Sequence, residues 1–178
     1  MIRLARHGRT AYNAEPRFQG HLPVPLDDVG REQARALAER CASEDFTTFV
    51  TSPLARARET AAIVAGVIGL EPEVDDRWAE TDAGDWTDRP FAEIVAEDPE
   101  RFAAFTRVDP GFAFPGGESF ADHQARVADA ARDLAARTDG GRALVVCHGV
   151  TIRLALLAIH GDEQARTMDL PNVALVAL

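Results

Sequence analysis

Short apolar runs punctuate the chain at residues 2–5, 46–51 and 143–147. Runs of that length and character predict buried parallel strands. Residues 173–178 predict a fourth strand, and residues 73–75 a shorter one. Between them the apolar spacing changes. Ala34, Leu37, Ala38 and Cys41 recur at i, i+3, i+4 and i+7, as do Thr60, Ile63, Val64 and Val67. That spacing lines one face of a helix. Phe120, Gln124, Val127, Ala131 and Leu134 mark a longer helix, and residues 150–159 are apolar nearly all round. Alternating strands and helices predict an α/β fold, a three-layer α/β/α sandwich around a mostly parallel sheet. No repeat, low-complexity tract or linker interrupts it, so residues 1–178 read as one domain.

Residues 78–120 break the pattern. They hold eight of the twelve aromatic residues, together with Pro90, Pro99, Pro110, Pro115 and the Gly116-Gly117 pair. An irregular helical insertion over the carboxyl ends of the strands is expected. Its aromatics would mainly form its own small core, an arrangement compatible with a cap over a pocket.

Composition narrows the function. A formal charge of −10 argues against a nucleic-acid or anionic-membrane surface, both of which need a basic footprint. All 19 basic residues are arginine. Without lysine, Walker-type phosphate loops and Schiff-base chemistry are excluded. No apolar run reaches the roughly 18 residues of a membrane span, and the N-terminus reads as a strand rather than a secretory leader. A cytoplasmic protein is expected, with Cys41 and Cys147 as free thiols.

The candidate chemistry follows the strands. The first runs into Arg6-His7-Gly8, the second into Ser52-Pro53-Leu54-Ala55-Arg56, and the third into Cys147-His148-Gly149. Open α/β sheets bind ligands at the carboxyl ends of their strands. A lone histidine is usually structural and a lone arginine usually a solvated charge. Two of each, delivered to one rim by three strands, are harder to assign to chance. Arginine forks match phosphate oxygens, glycines allow close backbone approach, and the helix after Gly149 offers free N–H groups to an anion. Neighbouring arginines disfavour imidazolium and so keep a histidine nucleophilic.

These residues resemble the histidine phosphatases, in particular the phosphoglycerate-mutase branch with its Arg-His-Gly signature. The resemblance covers essentially the whole chain. It rests on Arg6-His7-Gly8-Arg9-Thr10-Ala11-Tyr12-Asn13, Arg17-Phe18-Gln19-Gly20, Ser52–Ala57 with Thr60, Trp78-Ala79-Glu80 with Gly84 and Trp86, Pro115–Ser119, and Val146–Gly149 with Ile152-Arg153. It implies that His7 carries the phosphoryl group, that Arg6, Arg56 and His148 hold its oxygens, and that Glu80 is the general acid. Asn13, Gln19, Gly20 and Gly149 fall on the substrate side. Neither a metal nor an organic cofactor is implied, and the partner would be a small phosphorylated metabolite. A homodimer is compatible with the sequence. Arg9 and Cys147 stand where the family often has Glu and Ser, and Thr87-Asp88 where phosphatase members often have Glu-Gly. The last departure bears on substrate identity, not on mechanism.

Four other readings compete. Phosphoglycerate mutase-type transfer shares the phosphohistidine step, but residues 78–120 offer only Arg89, Arg101 and Arg107 to a second phosphate. Cys147 to Arg153 fits the Cys-x5-Arg loop of cysteine phosphatases, but that leaves Arg6, His7, Arg56 and Glu80 unexplained. Zinc held by His7 and His148 would sit beside two repelling arginines. A non-catalytic phosphate-binding module would not need a complete catalytic set. His21, His123 and His160 have no partner motif and read as surface or structural residues.

Overall fold

The computed structural model describes residues 1–178. In chain order the elements are β1 (Ile2–Arg6), α1 (Ala11–Ala14), α2 (Asp28–Cys41), β2 (Thr48–Thr51), α3 (Ala55–Ile68) and β3 (Glu73–Val74). There follow α4 (Phe91–Glu97), α5 (Pro99–Thr106), α6 (Phe120–Thr138), β4 (Ala143–Cys147), α7 (Gly149–His160) and β5 (Leu175–Ala177). The five strands form one sheet in the order β3-β2-β4-β1-β5. All neighbours are parallel except β5, which runs antiparallel to β1.

Strand alternation divides the core into two layers. Ile2, Leu4, Val50, Val145 and Cys147 face one side, where Val127 and Leu134 of α6 and Ile152 and Leu156 of α7 cover them. Ala5, Phe49, Leu144 and Val146 face the other, against Leu37, Ala38 and Cys41 of α2 and Ala57, Ala61 and Val64 of α3. Each large side chain fully buried this way stabilises the fold by about 1.5–3 kcal/mol. The α/β sandwich expected from the pattern is therefore the fold observed.

Several boundaries move. The second strand starts at Thr48 rather than residue 46, because Thr47 and Thr48 both aim their N–H groups at the Arg142 carbonyl. The last strand holds only three residues, since Val173 takes a positive φ of 58° and leaves the ladder. On α3 the buried face is Arg56, Ala57, Thr60, Ala61 and Val64, whereas Val67 is 52% exposed. The helix is rotated from the expected stripe so that its alanines lie against α2.

Residues 78–120 carry α4, α5 and a short 3-10 turn at Gly84–Trp86, entered from another at Asp76–Trp78. Their aromatics pack as expected, with one addition from outside the segment. Phe18 lies 4.4–6.4 Å, centroid to centroid, from Phe91, Trp86, Phe105, Phe114 and Phe102. Phe112 and Phe120 close the cluster with rings 4.7 Å apart.

Register sets the level of the strand ends. Arg6 lies opposite Cys147, and Thr51 opposite Val146. His7, His148 and Ser52 therefore leave the sheet side by side. The loop after β1 is pressed against α2 backbone to backbone. A Cβ on Gly8 would lie 2.4 Å from the Gly30 carbonyl oxygen, and one on Gly30 would lie 2.0 Å from that of Arg9. Gly8 thus serves helix packing, rather than the backbone approach to a ligand expected from sequence.

Gly30→Ala is expected to destabilise the protein by about 3 kcal/mol, since neither backbone can yield without moving the loop. Urea unfolding measures it, and an unchanged midpoint would contradict the close approach.

Candidate active site

A cavity of about 360 Å³ opens over the carboxyl ends of β1, β2 and β4. Arg6, His7, Asn13, Gln19, Gly20, Arg56, Glu80 and Gly149 line it, so eight of the nine expected residues meet there. His148 does not line it. Its ring is fully buried, with its centroid 5.1 Å from that of His7.

His7 Nδ1 lies 2.7 Å from the carbonyl oxygen of Gly8. A carbonyl can only accept, so Nδ1 holds the proton and Nε2 is the free nitrogen of the neutral ring. Burial, then the charges of Arg56 and Arg6, push the imidazolium pKa well below its ordinary value. Gly8 is itself held, its N–H donating to Thr60 Oγ1 at 3.0 Å. Thr60 belongs to α3 and donates in turn to the Arg56 carbonyl at 2.8 Å.

Arg56 is 1% exposed, and burial lowers its pKa to about 10. It donates to the carbonyls of Gly20 at 2.9 Å and Leu22 at 3.4 Å. Arg6 donates to the Leu170 carbonyl. Neither guanidinium bonds a carboxylate, and Arg6 Nε, Arg56 Nε and His148 Nδ1 have no protein partner. Buried polar atoms without partners are costly in an apolar interior. Their convergence on His7 suits an anion. His148 Nε2 lies 2.7 Å from Ser52 Oγ, and burial and Arg56 hold its imidazolium pKa well down too.

Glu80 reaches the cavity from the segment after Trp78. Its Oε1 accepts from the Thr81 N–H at 3.0 Å and Thr151 Oγ1 at 3.2 Å, and its Oε2 from the Val150 N–H at 3.3 Å. The carboxyl group thus rests on the first turn of α7. Arg126 of α6 fixes the segment by donating to the carbonyls of Arg77 at 2.7 Å, Ala79 at 2.8 Å and Glu80 at 3.2 Å. Its other contacts are two bonds to Glu118, at 2.7 and 2.8 Å.

Arg126 was not legible from sequence as a site residue, since its partners lie 8 to 49 residues away along the chain. Also lining the cavity are Phe18, Arg17 and Arg153, which the resemblance had quoted without a role, the cap aromatics Phe91, Phe105 and Phe114, and Ala83 and Leu170, which the sequence did not single out. His123 was read correctly as structural, being fully buried with Nδ1 2.7 Å from Thr81 Oγ1. His21 is exposed and bonds the Glu80 carbonyl at 2.7 Å. A Cβ on Gly149 would meet nothing closer than Arg6 Nε at 3.6 Å, so protein packing does not require glycine there.

The cysteine alternative fails on burial. Cys147 is wholly buried on β4, and burial raises its thiol pKa far above the range of a reactive thiolate. No three His, Cys, Asp or Glu side chains converge as metal ligands. No helix is long and apolar enough to cross a membrane.

Comparison with known proteins places the chain in a family. The family description "Histidine phosphatase superfamily (branch 1)" matches residues 2–178. A probable phosphoglycerate mutase GpmB of Yersinia enterocolitica is 32% identical over 174 residues, 97% of this chain and 81% of that protein. A mycobacterial glucosyl-3-phosphoglycerate phosphatase, solved with VO3, superposes with a TM-score of 0.89 at 32% identity, covering 98% of this chain and 90% of that one. A phosphoserine phosphatase of Entamoeba histolytica, solved as a mutant with phosphoserine, gives 0.86 at 25% identity, covering 98% and 87%. With a family match over nearly its whole length, the chain belongs to branch 1 of the histidine phosphatase superfamily.

Proposed function

We propose that the protein hydrolyses small phosphomonoesters in the cytoplasm through a phosphohistidine at His7. The observation that carries this reading is the His7 tautomer. Its Nδ1 proton is committed to Gly8, which leaves Nε2 as a free nucleophile beside two guanidinium groups that bond no carboxylate.

In the first half-reaction Nε2 attacks phosphorus, and the bond to the leaving oxygen breaks. Arg6 and Arg56 hold the phosphoryl oxygens, with Asn13 and Gly149 beside them, and His148, buried beside His7 with Nδ1 unpartnered, takes a further oxygen as the charge spreads. Glu80 gives its proton to the leaving oxygen. In the second half-reaction Glu80 takes a proton from water, which attacks phosphorus, breaks the bond to Nε2 and releases inorganic phosphate. Gln19 and Gly20 line the entrance. Residues 78–120 form the cap within a single domain.

Hydrolysis is favoured over mutase transfer by what the cap contributes. From residues 78–120 the cavity receives Glu80, Thr81, Ala83, Phe91, Phe105, Thr106 and Phe114, and no cation. Arg89 is instead paired with Glu97 and Glu93, and Arg101 with Asp98. Of the further cations that line the cavity, Arg17 is paired with Asp88, and Arg153, which lies outside residues 78–120, donates to the Met168 carbonyl. A bisphosphoglycerate turning within the site would need a second cationic cradle. The aromatic walls suit a partly apolar or uncharged leaving group. The phosphatases among the similar structures support the same reading.

The protein is expected to release inorganic phosphate from several monoesters and to interconvert 3- and 2-phosphoglycerate negligibly, with or without bisphosphoglycerate. Mutase turnover exceeding phosphate release would contradict the assignment. Glu80→Gln should slow hydrolysis of alkyl phosphates about a hundredfold, but that of aryl phosphates, whose leaving groups need little protonation, less than about tenfold. Equal losses on both substrate types, measured as kcat/KM, would remove Glu80 from the acid role.

A further inference from the structure

The segment after the short 3-10 turn at Glu163–Thr167 is strapped across the site. Its carbonyls take bonds from two cavity arginines: Arg153 donates to Met168 at 2.9 Å, and Arg6 donates to Leu170. At its end Val173 adopts a φ of 58°, a costly conformation for a β-branched residue. Its N–H is nevertheless bonded to the Arg6 carbonyl at 3.2 Å. The strained turn sets the preceding residue, Asn172, beside the loop that carries His7.

Asn172 Nδ2 lies 3.0 Å from the His7 carbonyl oxygen and 3.3 Å from Asn13 Oδ1. The His7 carbonyl can only accept, so Nδ2 of Asn172 is unambiguously the donor end. The Thr10 backbone N–H, which can only donate, meets Asn13 Oδ1 at 3.1 Å. Two N–H groups of fixed character thus claim the oxygen of the Asn13 amide. The other end, Nδ2, is left for the cavity that Asn13 lines. The Thr10 N–H belongs to the cap of α1 and sets the sense of the amide; the Asn172 bond adds a second fixed donor and ties the amide to the loop that carries His7.

We propose that Asn172 is a positioning residue, which holds the Asn13 amide with its N–H end toward the phosphoryl group and braces the His7 backbone in the same contact. The inference rests on the reading of this cavity as a phosphoryl site.

Orthovanadate binding to the whole protein, measured by calorimetry, tests it without relying on turnover. Asn172→Ala is expected to weaken binding about tenfold, as is Asn13→Ala. The double variant should lose clearly less than the product of the two single losses, because part of the Asn172 effect passes through Asn13. Asn172→Asp keeps the shape but cannot donate; it should lose at least as much and serves if the alanine variant unfolds. Unchanged binding in a folded Asn172 variant, or losses that multiply in the double variant, would overturn the proposal while leaving the phosphatase reading intact. A wild-type protein that binds no vanadate would overturn both.

Discussion

Everything at the site depends on keeping a neutral histidine beside guanidinium charge that no protein carboxylate bonds directly, Glu80 acting on Arg6 and Arg56 only through space. Arg56 is withdrawn from water and Arg6 is half-buried, yet both bond backbone carbonyls rather than carboxylates. Burying guanidinium groups this way costs stability, and the fold bears that cost. The same charges push His7 and His148 toward their neutral forms. A doubly charged phosphoryl group supplies the counter-charge that the protein withholds, so binding energy and nucleophile activation come from one arrangement. An ion pair with a resident carboxylate would relieve the strain and block the site.

The fold makes the arrangement possible by register and contact. Level strand ends place His7, Ser52 and His148 together, and the glycine contact between the loop after β1 and α2 sets the loop's height. Bonds from Thr60 to Gly8, from Arg126 to the Glu80 segment and from Asn172 to the His7 carbonyl then fix each reacting group from outside the cavity. The acid comes from a different part of the chain than the nucleophile. It rests on the N-terminal turn of α7, so one helix serves both the His148 side and the Glu80 side.

Much of this was legible in the sequence. Buried parallel strands declare themselves as apolar runs, and the residues that follow them are delivered to one rim by topology alone; Arg6, His7, Arg56 and His148 could be found that way. Glu80 could not, because one carboxylate among 29 acidic residues has no local signature, and only the resemblance pointed to it. Asn172 and Arg126 were invisible because their roles are hydrogen bonds across long sequence separations. The rotation of α3 was misread because its alanines, weak as a hydrophobic signal, pack better against α2 than Val67 would. Gly8 carried the right residue for a reason that only the contact with Gly30 reveals.

The central claim is covalent, and it is tested most directly by rapid acid-free quenching of the enzyme during turnover, followed by phosphorus NMR and peptide mass spectrometry. The account predicts phosphate on a nitrogen of His7, labile in acid and stable in base, and absent from a folded His7→Ala variant whose turnover has fallen by about a thousandfold or more. Phosphate on another residue, or a His7→Ala variant within about tenfold of wild-type activity, would contradict it.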